Sequence, residues 1–250
     1  MLKIQSLLGR MWPFVRIGVA AVAVGVLASA SHADSSIGQV RSMKPSVWLG
    51  KTVALTSRPP APFGIGTRDS MLRSALTVPF PGIEPSRAPF ADGKKIADES
   101  GIEDGAAYIG RALLAAATES YGAVASPIPP IATTETYSVK LARAADGADL
   151  LLDVRIEDAG MRPHHMQEQY AVVGFAATLV VVDVRAHARI AEGYCRSWYG
   201  PTEKDELLAN NAVVLKAKLA VLWDECVAKF KSNVLLFQPS SEQRLDSSGR

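Results

Sequence analysis

The two cysteines are the residues whose type and setting most clearly point to chemistry. Cys195 and Cys226 are the only two in a chain of 250 residues. An even pair favours a bridge in an oxidising compartment. No C-x-x-C motif is present, which disfavours a redox enzyme. The best metal or acid–base candidates are His164 and His165, adjacent and within reach of Asp158 or Glu168. No HExxH, HxH or Cys-His spacing accompanies them, so exposed loop histidines are the favoured reading. His187 falls in a tight turn. Asp153, Glu157 and Asp183 are the carboxylates that a hydrolytic pair would draw on. They also read as ordinary acidic residues on wet faces and strand ends. The glycines Gly64 and Gly66 lack the following GxxG or GK[ST] of a phosphate loop. No GxSxG elbow is present. Trp198, Tyr199, Gly200 and Pro201 form an aromatic turn, read as packing against the start of the last helix or as a recognition patch. No catalytic residue and no cofactor is assigned.

The elements that hold these residues are legible from hydrophobic period. Leu150, Leu152, Val154 and Ile156 alternate with Asp153, Arg155 and Glu157, which predicts a half-buried strand. Residues 158–168 read as a polar loop. Tyr170–Val184 is apolar on both faces, as in a central strand. Arg189–Tyr199 returns after a short connection, which predicts an antiparallel hairpin. A final helix is predicted from about Asp205 to Leu236, with an apolar stripe through Leu208, Ala212, Leu215, Leu219, Leu222, Cys226 and Phe230. On the strand, Ala191, Gly193, Cys195 and Ser197 form a small-residue face that a helix can approach closely. A Cys195–Cys226 bridge is therefore predicted, closing a loop of about 30 residues for on the order of 3 kcal/mol.

Upstream, Val47–Thr56 reads as a first strand, with Gly50 a bulge or the strand's start. Ile102–Tyr121 reads as a helix capped by Asp104 and ended by Gly122. Residues 131–144 are ambiguous between a strand at Thr133–Val139 and a helical turn at Val139–Ala145. Between them, residues 58–95 carry Pro59, Pro60, Pro62, Pro79, Pro81, Pro85 and Pro89 and read as irregular.

The N-terminus has Lys3, Arg10 and Arg16, an apolar run from Ile17 to Leu27, and small-residue sites ending at Ala30 and Ala33. This is the order of a secretory signal peptide, and residues 1–33 are read as one. Which of Ala30 and Ala33 ends it stays open. The alternative is an uncleaved anchor helix from Met11 to Ala30 in an inner membrane. Cleavage removes three basic and no acidic residues, which leaves 24 basic against 25 acidic. Such a balance gives no argument for nucleic acid or for an anionic membrane surface as partner. Residues 46–236 then form a single α/β (α+β-like) domain: a mostly antiparallel sheet of about four strands, two main helices and one disulfide. Residues 237–250 read as a disordered tail.

The stretches at 50–58, 101–105, 148–155, 181–197 and 205–226 resemble a group of uncharacterised exported proteins of Gram-negative bacteria. The strand at 148–155 followed by the hairpin at 181–197 is also similar, at the level of fold, to the curli-secretion lipoprotein and to the TolB amino-terminal domain. The resemblance implies a periplasmic domain that binds a protein or cell-envelope component without catalysis. The contact surface would be residues 58–95 or the sheet edge. Membrane contact would come only through an uncut N-terminal segment. The alternative function is a small periplasmic hydrolase or metal-binding protein built on His164 and His165.

Overall fold

In chain order the elements are a 3-10 turn at Pro45–Trp48, β1 (Thr52–Ser57), β2 (Gly64–Ile65), α1 (Ala88–Ser100), α2 (Gly105–Tyr121), β3 (Val124–Ala125), β4 (Ile131–Ala132), α3 (Ser138–Ala144), β5 (Leu150–His164), β6 (Gln167–Asp183), β7 (Ala188–Glu203), α4 (Lys204–Lys229) and a π turn at Phe230–Val234. The structure, a computed structural model, describes residues 41–66, 88–165 and 167–237, of which 88–92 by their backbone alone. The expected export signal, the centre of the proline-rich segment and the tail beyond Phe237 lie outside the described residues.

Among the described residues the sheet has seven strands in mixed orientation, with the order β3-β1-β5-β6-β7, β2 beside β5 and β4 beside β1. This corrects the expectation of about four, mostly antiparallel, strands with two main helices. Four α-helices are described. The reasons are local. β2, β3 and β4 span two residues each, too few to show a period. β1 pairs in parallel with β5, through Val53↔Leu150 to Leu55↔Leu152, and parallel partners come from distant parts of the chain. The expected hairpin is present as antiparallel β6 and β7, and β5 pairs antiparallel with β6.

β5 is longer than its alternation shows. A register shift between Ile156 and Asp158 breaks the period, and the strand then continues to His164. The polar loop expected at 158–168 is therefore mostly strand. The shift is a bulge, which hides a strand's continuation from a period-of-two reading. Helix α1 likewise begins inside the stretch read as irregular.

Each face of the sheet has its own core. On the first face α2 and α4 cover Val53, Leu150, Leu152, Val154, Val173, Phe175, Leu179 and Val181. On the second, Leu141, Ala142 and Ala145 around α3 cover Ala54, Leu151, Val180 and Val182. Asp104 caps α2 by accepting from the Ala106 N–H at 2.9 Å, and Gly122 ends it with φ 68°. Phe237 is buried, stacked on Tyr121 at 4.1 Å and edge-on to Trp48 at 5.7 Å.

The last helix is interrupted. Ala209 is extended, and Asn210, Asn211 and Ala212 all have left-handed backbones. The break changes which leucine faces inward: Leu207 is fully buried, while Leu208 is only partly so. The apolar spacing in the sequence runs through the break without interruption, so it read as one helix.

Candidate functional site

The two-residue alternation of β7 sorts its side chains between the faces of the sheet. Ala191, Cys195 and Ser197 are buried toward α4. Cys195 and Cys226 form a disulfide there, with S–S 2.01 Å and Cα–Cα 5.5 Å. Lys229 donates to the Ser197 hydroxyl at 2.7 Å and to the Arg196 carbonyl at 3.3 Å. With α4 locked on this face, Glu192, Tyr194, Arg196 and Trp198 project from the other. Among the described residues α3 covers only part of that second face, and Tyr194, Arg196 and Trp198 are half-buried beyond it. Tyr194, Arg196, Trp198 and their neighbour Thr178 belong to neither apolar core.

Trp198 is the centre of the open half. It pairs with Gly174 of β6, and a Cβ at that glycine would collide with the Trp198 ring. Glycine therefore gives the indole a slot in which to lie flat across the sheet. Two guanidiniums lie over the ring: Arg196 at 4.7 Å and Arg162 of β5 at 5.2 Å from its centroid. Each such contact contributes about 0.5–1 kcal/mol at an exposed site. Arg162 is also paired with Asp158. Arg196 forms no ion pair among the described residues, and its Nε is buried without a hydrogen-bond partner.

Beside this surface lies a closed network around Asp153, whose side chain is 0% exposed. Its Oδ1 accepts from Thr56 Oγ1 at 2.8 Å and from Arg58 Nε at 2.6 Å. Its Oδ2 accepts from Arg58 at 2.9 Å and from Arg155 Nε at 2.7 Å. The same guanidiniums donate onward to the carbonyls of Glu135 and Thr136. Every lone pair of the carboxylate is directed at a donor. Asp153 thus anchors β1, β5 and the approach to α3, and it has no free oxygen for acid–base work.

The outer edge of β7 is a further feature. Arg41 is the one described residue that bridges to it, exchanging both main-chain bonds with Glu192 at 2.9 Å. The β6–β7 register is regular from Val180↔Glu192 to Val173↔Tyr199. Alternate residues of an antiparallel strand direct their N–H and C=O to the same side. Tyr194, Arg196 and Trp198 therefore present their main-chain groups outward, as Glu192 does.

The other predicted residues do not converge. His164 and His165 lie at the β5–β6 turn with ring centroids 4.1 Å apart. Among the described residues no group of three or more His, Cys, Asp or Glu side chains is placed to hold a metal. Glu168 is exposed, and Asp158 is engaged by Arg162. His187 is exposed in the β6–β7 turn with φ 52°. Asp183 accepts from the Ala186 N–H at 2.8 Å and shapes that turn, while Glu157 is exposed at the bulge. Gly64 pairs with Gly160 as part of β2, not as a phosphate loop. Trp198 lies on the sheet rather than against the helix start. It is Tyr199 that meets α4, with Lys218 Nζ 3.7 Å from its ring. Arg162 was hidden in an expected loop and Arg58 in the proline-rich segment, so their part in these clusters had no sequence signal.

A polar crevice of about 560 Å³ lies between the α3–β5 connection and the β6–β7 turn, lined by Arg143, Asp146, Asp149, Arg185 and His187 among others. Asp149 accepts from the Thr52 N–H at 3.0 Å and pairs with Arg185 at 3.0 Å. The Thr52 N–H holds its carboxyl below the usual aspartate range, aided by Lys51 and Arg185 against partial desolvation. The lining carries two arginines and two aspartates, of which Arg185 and Asp149 are paired with each other.

No protein-family model matches the chain, and no curated protein matches it significantly. Similar solved structures include the hypothetical protein CT253 of Chlamydia trachomatis, at 12% identity and TM-score 0.34, covering 74% of this chain and 97% of that one. Protein XCC0632 of Xanthomonas campestris is 13% identical with TM-score 0.34, covering 84% and 96%. Lipoprotein GNA1162 of Neisseria meningitidis is 13% identical with TM-score 0.27, covering 72% and 99%. Likeness of this degree does not fix function.

Proposed function

We propose that the chain is an exported, non-enzymatic binding protein of a bacterial cell envelope, working in the periplasm. Its contact surface is the open half of the sheet's second face together with the β7 edge. The observation that carries this reading is Trp198, laid flat over Gly174 with Arg162 and Arg196 across its ring and outside both cores. Tryptophan, tyrosine and arginine are the side chains that dominate binding at protein interfaces. Export is supported by the N-terminal pattern of charge, apolar run and small residues. Among the described residues no helix is long and apolar enough to cross a membrane. The resemblance to exported envelope proteins supports the same compartment.

The test is site-specific photo-crosslinking in intact cells that export the protein. A probe replacing Tyr194 is expected to capture a defined envelope component. Capture should fall at least tenfold when Arg162→Glu and Arg196→Glu are introduced. Equal capture from a probe at Val213, exposed on α4, or no effect of the arginine changes, would exclude this surface.

A further inference from the structure

We propose that the edge of β7, unpaired beyond Glu192 among the described residues, receives an added extended strand that carries acidic side chains at alternate positions. This rests on the reading of that side of the sheet as a contact surface and names the partner's chemistry. Three consecutive outward positions, Tyr194, Arg196 and Trp198, offer six main-chain groups in regular register. One is already met, since the Arg196 carbonyl accepts from Lys229. A row of unpaired strand groups is a template for another strand. Arg41 shows that this edge accepts antiparallel pairing, because its bond exchange with Glu192 is the first rung of such a ladder.

Charge selects the strand. Among the described residues, Arg41, Arg189, Arg196 and Lys229 stand along the stretch from Arg189 to Trp198, against the single carboxylate of Glu192. That carboxylate is itself bound by Arg189 at 2.6 Å. In an antiparallel ladder, directly opposed residues place their side chains on the same face. A glutamate or aspartate opposite Arg196 would therefore lie beside its guanidinium on the open face. There it would supply the ion-pair partner that Arg196 lacks among the described residues. A neighbouring acidic residue two positions away would lie beside Tyr194 or Trp198 and within the field of the same cluster.

The experiment uses the full exported chain and two synthetic octapeptides, one alternating glutamate with valine and one alternating lysine with valine. Affinity is read by fluorescence anisotropy and strand addition by amide hydrogen exchange. The glutamate peptide is expected to bind and to slow exchange at Tyr194, Arg196 and Trp198 by tenfold or more. The lysine peptide should not bind. Arg196→Glu should weaken binding at least tenfold. Tyr194→Pro, which removes an outward donor and no bond to β6, should weaken it comparably while the melting temperature stays near that of the parent.

Several results would overturn the proposal. The glutamate peptide could bind without slowing those amides, or bind Arg196→Glu equally well. The amides could be protected without peptide and lose protection when residues 34–40 are deleted, which would make the chain's own N-terminal segment the occupant. Protection that rises with protein concentration would make a second copy the occupant. Crosslinking from Tyr194 in cells together with failure of the glutamate peptide would overturn this inference alone. Absence of crosslinking would count against the contact surface itself.

Discussion

At the residue scale, Asp153 is the most constrained polar group described. It is enclosed by Thr56, Arg58 and Arg155, and both guanidiniums are themselves mostly covered. Removing one member of a buried charge network leaves the others uncompensated, which typically costs about 3–5 kcal/mol. Asp153→Ala is therefore expected to destabilise by that order, measured as a shift of the urea midpoint at unchanged slope. Asp149 makes a separate prediction. Its folded-state pKa is depressed, so its contribution to stability is present above the ordinary aspartate value of about 3.9. It is lost as pH falls through the lower folded value. Asp149→Asn should flatten the acid limb of a stability–pH curve measured by denaturant titration, and the difference from the parent should shrink below that window. Trp198 offers a spectroscopic check of its slot. Gly174→Ala should push the indole off the sheet and shift its emission to the red, with the other tryptophans unchanged.

At the scale of elements, the disulfide and the break in α4 are the features to test. Cys195→Ala with Cys226→Ala opens a loop with a sequence separation of 31 residues. The expected loss is on the order of 3 kcal/mol in chemical denaturation. Within α4, Ala212 holds a left-handed backbone that residues other than glycine and asparagine seldom adopt. In an unbroken helix Ala212→Gly would cost about 1 kcal/mol. Here relief of the backbone offsets the lost methyl, and the substitution should be neutral or stabilising by thermal melting. The sequence revealed the long elements because their period persists: the central strand, the hairpin, helix α2 with its Asp104 cap, and the pairing of small residues around Cys195 with the stripe through Cys226. It concealed what period cannot carry. Two-residue strands, parallel pairing across the chain and a bulge at Glu157 leave no periodic trace. Nor does the reach of Arg162 across the sheet to Trp198, because that contact joins residues whose adjacency exists only in the folded register.

At the scale of the whole molecule, the sheet is asymmetric in its covering. One face is closed by α2 and α4, and the bridge at Cys195 holds that closure in place. Among the described residues the other face is closed by α3 over Ala54, Leu151, Val180 and Val182, and beyond that cover lie half-buried tryptophan, tyrosine and arginine beside an edge strand with outward main-chain groups. The charged residues best placed for chemistry, Asp153 and Asp149, are spent on holding strands together. On the proposed function, the covered layers are scaffold and the open half is the contact surface. That division is tested most directly by scanning β7 with a photo-crosslinking residue in the exporting cell, one position at a time from Glu192 to Tyr199 with Cys195 left intact. The predicted result is capture with a period of two, strong at Tyr194, Arg196 and Trp198 and weak at Gly193, Ser197 and Tyr199. Capture without that period, or confined to α4, would contradict it.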